Sequence, residues 1–337
     1  MRICLLTSQY LDEVPFDEDD WPCDPRPFIP EADWHLTTLV KETSVETVTA
    51  LVKEGFDVFF NLCDGAADQE IPGIEVVETL ERLGVPFTGA TSEFYEPSRV
   101  EMKRVCAEQG IPTPAFVLAE TEADVERAAE TLKFPLFVKH HSSYASVGLT
   151  RKSRAETPQR LRKRAQKMMK RYGKALIEEF VEGIECTVLV AENPADPLRP
   201  TTYAPVQYRF PEGETFKHAK LKWVDYDAMD SFLVENPQLD KRLRDVSARF
   251  FIGLKGASFG RCDLRVDSAG TPFMLEINPN CGVYYPPEDP GSADICLLHD
   301  PGGHEAFTRQ LVAAALRRHR DRQLALSAPQ ARALSRD

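Results

Sequence analysis

The sequence has no long apolar run. Nothing in it approaches the ~18–20 consecutive apolar residues that a membrane-spanning helix requires, so no membrane partner is expected. Its eight cysteines (Cys4, Cys23, Cys63, Cys106, Cys186, Cys262, Cys281 and Cys296) are scattered, with no C-x-x-C pair. That argues against a zinc ribbon or a redox pair and reads as reduced, mostly buried thiols. Excess positive charge is also missing. Against 53 Asp and Glu there are 41 Lys and Arg, a formal net charge of −12, so no nucleic acid is expected as a partner. There is no repeat and no G-x-x-x-x-G-K-[ST] phosphate loop. Met1 to Leu6 is too short for a signal peptide, and the expected location is cytoplasmic.

What is present is an ordinary globular composition, 42% apolar and 28% charged over 337 residues, long enough for two or three domains. Arg2 to Ser8 predicts a buried strand. Residues 11–35, "LDEVPFDEDDWPCDPRPFIPEADWH", are irregular and acidic, with prolines and tryptophans, and read as a lid or substrate-side loop. Thr38 to Glu54 predicts a helix stopped by Gly55, "FDVFFNLCDG" a strand, Ile74 to Leu83 a helix closed by Gly84, and "VPFTGA" another strand. This alternation implies a parallel sheet with helices on its faces. A second α/β unit follows from Arg99, with strands at "IPTPAFVLA" and "FPLFVKHH" and a basic helix near 155–172. The last section alternates strands with helices near 238–252 and 304–320. Residues beyond 320 read as a frayed or disordered tail.

Three clusters carry chemistry. In "FPLFVKHHSSYASVGLTR" a buried strand delivers Lys139 into a small-residue loop, Ser142 to Gly148. Hydroxyls and backbone N–H groups there can wrap phosphate oxygens while the lysine supplies a point charge. An exposed hairpin loop is an equal alternative. In "ALIEEFVEGIE" a strand bears Glu178, Glu179 and Glu185. Read as an edge strand, its Phe180-Val181 backbone can meet an adenine edge and its carboxylates can accept from ribose hydroxyls; solvent-facing acids are the plain alternative. In "GRCDLRVDSAGTPFMLEIN" two strands flank the turn 267–270. Antiparallel pairing brings Asp263 near Glu276 and Asn278, three oxygen ligands suited to a divalent cation, with Arg261 on the same face.

In this order and spacing the residues resemble the ATP-grasp ligases, and most closely their D-alanine–D-alanine ligase branch. The resemblance covers most of residues 1–318 and includes "VPFTGATSEFYEPSRVEMKR" and "AEQGIPTPAF". It implies an α/β fold with an α+β lid, in three domains. These are an N-terminal Rossmann-like parallel sheet (1–98), a central ATP-binding lid (99–182) and a C-terminal catalytic domain (183–320), with 321–337 as the tail and ATP between the last two domains. It further implies that Lys103 and Lys139 contact phosphates or adenine, and that the loop with Ser142, Ser143 and Ser146 closes over the β- and γ-phosphates. Glu178, Glu179, Phe180, Val181 and Glu185 would hold the nucleoside. Asp263, Glu276 and Asn278 would bind two Mg²⁺ ions, with Mn²⁺ as a substitute. Lys220, or else Lys217 or Lys222, would meet the γ-phosphate, and Arg261 with the Gly282 N–H would stabilise an oxyanion.

The implied activity is ATP-dependent carboxylate–amine ligation through an acyl phosphate. It acts on small-molecule acids and amines, amino acids or a peptide, in a chain the family suggests is a homodimer. Two alternatives stand beside it: a ligase acting on a peptide or amino-acid-bearing natural product, and a catalytically silent nucleotide-binding module.

The substrate half departs from the branch's pattern. "LTSQYLDEVPFDEDDW" offers no clear counterpart of its ammonium-binding acid, and "NLCDGAADQEIPGIE" and "NPNCGVYYPP" replace two of its motifs. Tyr284 and Tyr285 suit a larger or aromatic substrate, or pack under the proline-rich loop. Cys281 reads as structural. The basic run "RKSRAETPQRLRKRAQKMMKRYGK" reads as a solvated helix face. His140 and His141, as adjacent strand residues, are expected to face opposite ways.

Overall fold

The computed structural model describes residues 1–8, 23–67, 69–142, 148–218, 221 and 229–327. Strand β1 (Arg2–Ser8) is buried at all but its first position and is flanked by β2 (Asp33–Leu39) and β3 (Val58–Asn61), both parallel to it. Helices α1 (Ser44–Val52) and α2 (Ile74–Leu83) cover this sheet, and α2 is closed by Gly84 in the left-handed conformation, as a C-terminal glycine allows. Strand β2 corrects the sequence reading, which left 33–35 in a loop and began a helix at Thr38. The segment "DWHLTTL" is rich in β-branched and aromatic residues and gains its stability from pairing along the whole of β1, a tertiary contribution that helical periodicity does not register. "VPFTGA" contributes only a single bridge, Phe59 to Phe87.

The second sheet has the order β4-β7-β5-β6 and is antiparallel. It is preceded by α3 (Arg99–Glu108), whose N-cap Ser98 accepts from the Glu101 N–H. Then come β4 (Phe116–Ala119), α4 (Glu122–Thr131) with a Thr121–Asp124 capping box, β5 (Leu136–Lys139), β6 (Arg154–Ala155), α5 (Pro158–Tyr172) and β7 (Ala175–Glu179). Proline at the first position and a Thr157 side-chain cap set the start of α5.

The third sheet runs β11-β10-β8-β12-β13, with β9 paired to β8. Its strands are β8 (Ile184–Ala191), β9 (Thr201–Thr202), β10 (Val206–Arg209), β11 (Asp230–Leu233), β12 (Phe259–Val266) and β13 (Pro272–Pro279). Helix α6 (Pro237–Gly253) precedes β12, and α7 (Ser292–Leu298) and α8 (Gly303–Ser327) follow β13. Helix α8 carries on to Ser327, past the expected end of the ordered chain at 320. Arg317 with Asp321 at 3.0 Å, and Arg322 on the Glu81 carbonyl at 3.0 Å, hold this extension.

The first and third sheets share their apolar cores. Phe94 meets Phe251 edge-on at 5.3 Å, and the cluster joins Leu6 and Phe59 to Cys262 and Met274. The second sheet has its own core, from Val117 through Leu161 and Met168 to Ile177. The chain between the second and third sheets turns at Gly183, where φ is +140° and an added Cβ would lie 1.9 Å from the Val266 carbonyl oxygen. Gly183→Ala should destabilise the fold by at least about 1–3 kcal/mol from backbone strain alone. Urea unfolding of the two proteins checks this; an unchanged midpoint would overturn it.

Candidate active site

The hairpin β12–β13 builds one wall of the site. Its register sets Arg261 opposite Asn278 and Asp263 opposite Glu276, as the sequence implied, and a bulge at Leu275 follows at once. Alternation along β12 puts Arg261, Asp263 and Arg265 on one face. Asp263 is gripped by Arg261 through Nε and Nη2 at 2.9 and 2.8 Å, by the Thr187 hydroxyl at 2.8 Å and by the Asn278 amide at 2.8 Å. Burial alone would raise its pKa, but the Arg261 guanidinium outweighs that and holds the carboxyl below its usual range. Glu276 is met by Arg99, the first residue of α3.

The opposite wall comes from β5 and β7. Glu178 is 2% exposed and lies 2.9 Å from Lys139 and 3.1 Å from Lys103. Burial opposes its charge, yet the two ammonium groups prevail and its pKa falls to about 2. For Lys139 burial wins, and its pKa drops to about 8 despite Glu178. Lys103 also donates to the Thr113 hydroxyl at 2.7 Å and stands behind Glu178, not on the cavity surface. Two sequence expectations change here. Strand β7 is interior to its sheet, between β4 and β5, and not an edge; the Phe180 N–H still donates to the Pro135 carbonyl at 2.9 Å, and the chain leaves the sheet after it. Glu178 is no solvent-facing acid but the anion of a buried triad.

Between the walls lies a cavity of about 430 Å³, within the roughly 300–1,000 Å³ of ligand pockets. Lys139, Glu178, Glu179, Phe180, Val181 and Glu185 line one side, and Arg261, Asp263, Glu276, Asn278 and Gly282 the other. Arg99, Arg265 and Lys217 line it as well, with Phe137 and Phe216, which meet edge-on at 4.9 Å. Arg265 could have been found from R-x-D-x-R on one strand face. It holds the Val181, Thr215 and Gly183 carbonyls at 2.6, 2.9 and 2.8 Å. Arg99 left no sequence signal, because its partner is 177 positions away.

Of the three candidate lysines, Lys217 lines the cavity, its ammonium 3.6 Å from the Tyr208 ring centroid. Lys220, Lys222, Ser143 and Ser146 lie outside the described residues. Ser142 is exposed and donates its N–H to His140 Nδ1 at 3.0 Å. The His140 and His141 rings stack at 4.6 Å instead of facing opposite ways. Strand β5 ends at Lys139, so strand alternation no longer governs them.

The two tyrosines diverge. Tyr284, at φ +71°, is buried in the core, with its hydroxyl accepting from Thr308 at 3.0 Å. Tyr285 is 37% exposed and lines the cavity. Added Cβ atoms on Gly282 and Gly291 would come within 2.8 and 2.9 Å of its ring, so the ring lies against both glycines. Cys281 is buried, and burial raises its thiol pKa to about 12, which suits a structural residue.

The donor set fits a hard cation. Among the described residues no group of three His, Cys, Asp or Glu is placed to hold a metal. Asp263 and Glu276 supply two carboxylates on one face, and Asn278, whose amide nitrogen is committed to Asp263, supplies an amide oxygen. Mg²⁺ takes such a set of one or two carboxylates and completes its shell with phosphate oxygens and water.

The sequence model of the family described as D-ala D-ala ligase C-terminus matches residues 105–285. The chain belongs to that family. It is a D-alanine–D-alanine ligase-like ATP-grasp protein, an enzyme of the carbon–nitrogen ligase class. It is 28% identical to D-alanine–D-alanine ligase B of Chromobacterium violaceum over 72% of this chain and 76% of that one. It is 25% identical to the D-alanine–D-alanine ligase of Cupriavidus necator over 81% and 80%. In fold it is similar to the Bacillus anthracis D-alanine–D-alanine ligase complexed with ATP, at a TM-score of 0.66 and 17% identity over 96% and 99% of the chains. VanG, a D-Ala:D-Ser ligase of Enterococcus faecalis, superposes at 0.69 with 13% identity over 93% and 99%.

A pH dependence follows from Lys139. Its charge disappears as pH rises through about 8, so kcat/KM for ATP should fall about tenfold per unit above that point, as a titration in the free enzyme does. Lys139→Arg, charged throughout this range, should move the alkaline limb upward. A profile flat to pH 10 would overturn the role. Separately, Glu178→Ala leaves Lys103 and Lys139 buried without their anion and should cost about 3–5 kcal/mol of stability, read by urea unfolding; an unchanged midpoint would contradict the triad's part in the fold.

Proposed function

We propose that the protein joins a carboxylate to an amine at the expense of ATP, through an acyl phosphate, releasing ADP and phosphate. The observation that carries this reading is the single cavity in which Lys139 and Lys217 face Asp263, Glu276 and Asn278, with Arg261 and Gly282 alongside. Cations for a triphosphate, oxygen ligands for a divalent ion and donors for an oxyanion are the three demands of that chemistry.

The Glu179-Phe180-Val181 segment and Glu185 would border the nucleoside, with Phe137 and Phe216 as apolar walls for a base. Asp263, Glu276 and Asn278 would hold Mg²⁺, which when bound neutralises charge on the transferred phosphoryl. Lys139 from the opposite wall, and Lys217 over Tyr208 of β10, would share that task. Once the acyl phosphate forms, Arg261 and the Gly282 N–H would steady the oxygen that gains charge as the amine attacks. The amine must lose a proton and the phosphate leaves with the bonding pair, so amide, ADP and phosphate balance the carboxylate, amine and ATP consumed. The separate core of the second sheet supports a lid that closes as a unit and keeps water from the acyl phosphate. We take residues 1–98, 99–182 and 183–320 as the working units of this cycle.

The substrates are small molecules, an amino acid or peptide acid and an amine. Tyr285 at the cavity wall favours a bulky acceptor over D-alanine. Phosphate release from MgATP over a panel of D- and L-amino acid pairs and peptides tests the reading; it should require both an acid and an amine. In the responsive pair Glu276→Gln should cut turnover by about 100-fold or more, the scale seen for lost transition-state charge partners, with the fold retained by circular dichroism while melting drops because buried Arg99 loses a charge partner. Near-normal turnover would overturn the metal assignment, and ATP binding with no substrate-dependent release over the whole panel would favour a silent binding module.

A further inference from the structure

We propose that the lid carries a second ligand site, a basic groove outside the nucleotide cavity that binds a small anion bearing several phosphates. Along α5, Arg160, Lys163, Arg164 and Lys167 fall at i, i+3, i+4 and i+7 and form one stripe. Facing them are Arg151, Lys152 and Arg154 from the turn before β6 and from β6 itself. With Leu149, Thr150 and His218 these seven cations surround a concavity of about 1030 Å³, the size of a ligand pocket.

The arrangement of counter-charges separates this stripe from an ordinary solvated face. On the neighbouring side of the same helix, Arg162 makes two bonds of 2.6 Å to Glu126, and Gln166 bonds Glu122 at 3.0 Å. Within the groove Arg151 is answered by Glu214 at 2.6 Å and Arg154 by Glu156 at 2.8 Å and by Glu182. Lys152, Arg160, Lys163 and Lys167 make no ion pair among the described residues. The i,i+3 and i,i+4 pairs within the stripe are all like-charged, an arrangement that opposes the helix. In a chain of net charge −12, acids were available to relieve it. Arg164 adds a second sign of a ligand. It donates to the Gly148 carbonyl and, at 3.1 Å, to Ser153, while its Nε is buried with no hydrogen-bond partner.

Guanidinium forks and ammonium point charges together match phosphate oxygens. Among the described residues the lining offers no Phe, Tyr or Trp on which a chain of bases would stack, so the groove fits phosphate groups better than nucleic acid. Leu149 lines both this groove and the nucleotide cavity, which puts the two sites side by side without shared charged groups.

The test is calorimetric titration of the full chain with tripolyphosphate, with Mg²⁺ in excess and the nucleotide cavity saturated by a non-hydrolysable ATP analogue. One further site is expected, weakening steeply with added salt, and the double variant Lys163→Glu/Lys167→Glu should weaken it at least tenfold. Both side chains are exposed, so melting, kcat and KM for ATP should be unchanged. GTP titrated in the same way separates the sources: equal affinity means the phosphates alone are read, and tighter binding means a nucleotide. Absence of a second site, affinity indifferent to the charge reversal, or tighter binding of a poly-glutamate peptide of equal charge would each overturn the proposal.

Discussion

The organising constraint of this protein is that charge taken out of water has to be met by charge from another segment. Asp263 is held by Arg261 and by Asn278 across the hairpin; Glu178 is held by Lys139 on the neighbouring strand and Lys103 on α3; Glu276 is held by Arg99. None of these anions is stable where it sits without its partner. The wall positions therefore depend on one another, and the cavity's geometry is fixed by electrostatics more than by apolar packing. The same network joins the units. The second sheet shares no buried apolar cluster with the other two. Among the described residues it is tied to the third sheet and its loops by Arg265 on the Val181 and Gly183 carbonyls, by Thr113 donating to the Met274 carbonyl at 2.8 Å, and by Phe137 meeting Phe216 edge-on. A junction with few apolar contacts opens at lower cost than an apolar core, a property that suits the lid closure proposed above.

Much of this wall was legible in the sequence because it depends on local rules. Period-two alternation puts Arg261 with Asp263 on one face of its strand and Glu276 with Asn278 on one face of theirs, and Gly84 marks a helix end. The bulge at Leu275, which no local rule announces, is what brings the two pairs into register. Where the sequence reading failed, a distant partner decided the outcome. Strand β2 forms because β1 offers it a full ladder. Arg99 reaches the site because α3 docks against β13. His140 and His141 stack because β5 stops at Lys139, two residues short of the expected strand "FPLFVKHH". Lys217 was weighed below Lys220 because spacing within "FKHAKLKW" cannot say which lysine turns inward; the cavity contains Lys217, and the other two lie outside the described residues.

The substrate side is where the chain departs most from the pattern it resembles, and there the structure shows a rigid wall. The segment 279–285 turns at two non-glycine residues with positive φ, Asn280 at +50° and Tyr284 at +71°. Such conformations cost on the order of 1–3 kcal/mol each and persist only where surrounding bonds over-determine them. Those bonds are present. The Asn280 side chain accepts from the Ala90 N–H at 2.7 Å, and the Tyr284 N–H donates to Asp294 at 2.7 Å. Asp294 in turn accepts from Gly291 at 3.0 Å and meets His304 at 2.8 Å. The turn at Tyr284 sends that ring into the core and leaves the next one, Tyr285, against Gly282 and Gly291 at the cavity wall. Because Gly282 has no side chain, the ring can lie over the backbone whose N–H is proposed to meet the reacting oxygen. In the proposed reaction the acceptor would enter past this aromatic face, carried on a turn that the Asn280 and Asp294 bonds hold. Substrate choice would then fall to shape complementarity with Tyr285 more than to a loop that moulds itself to whatever binds.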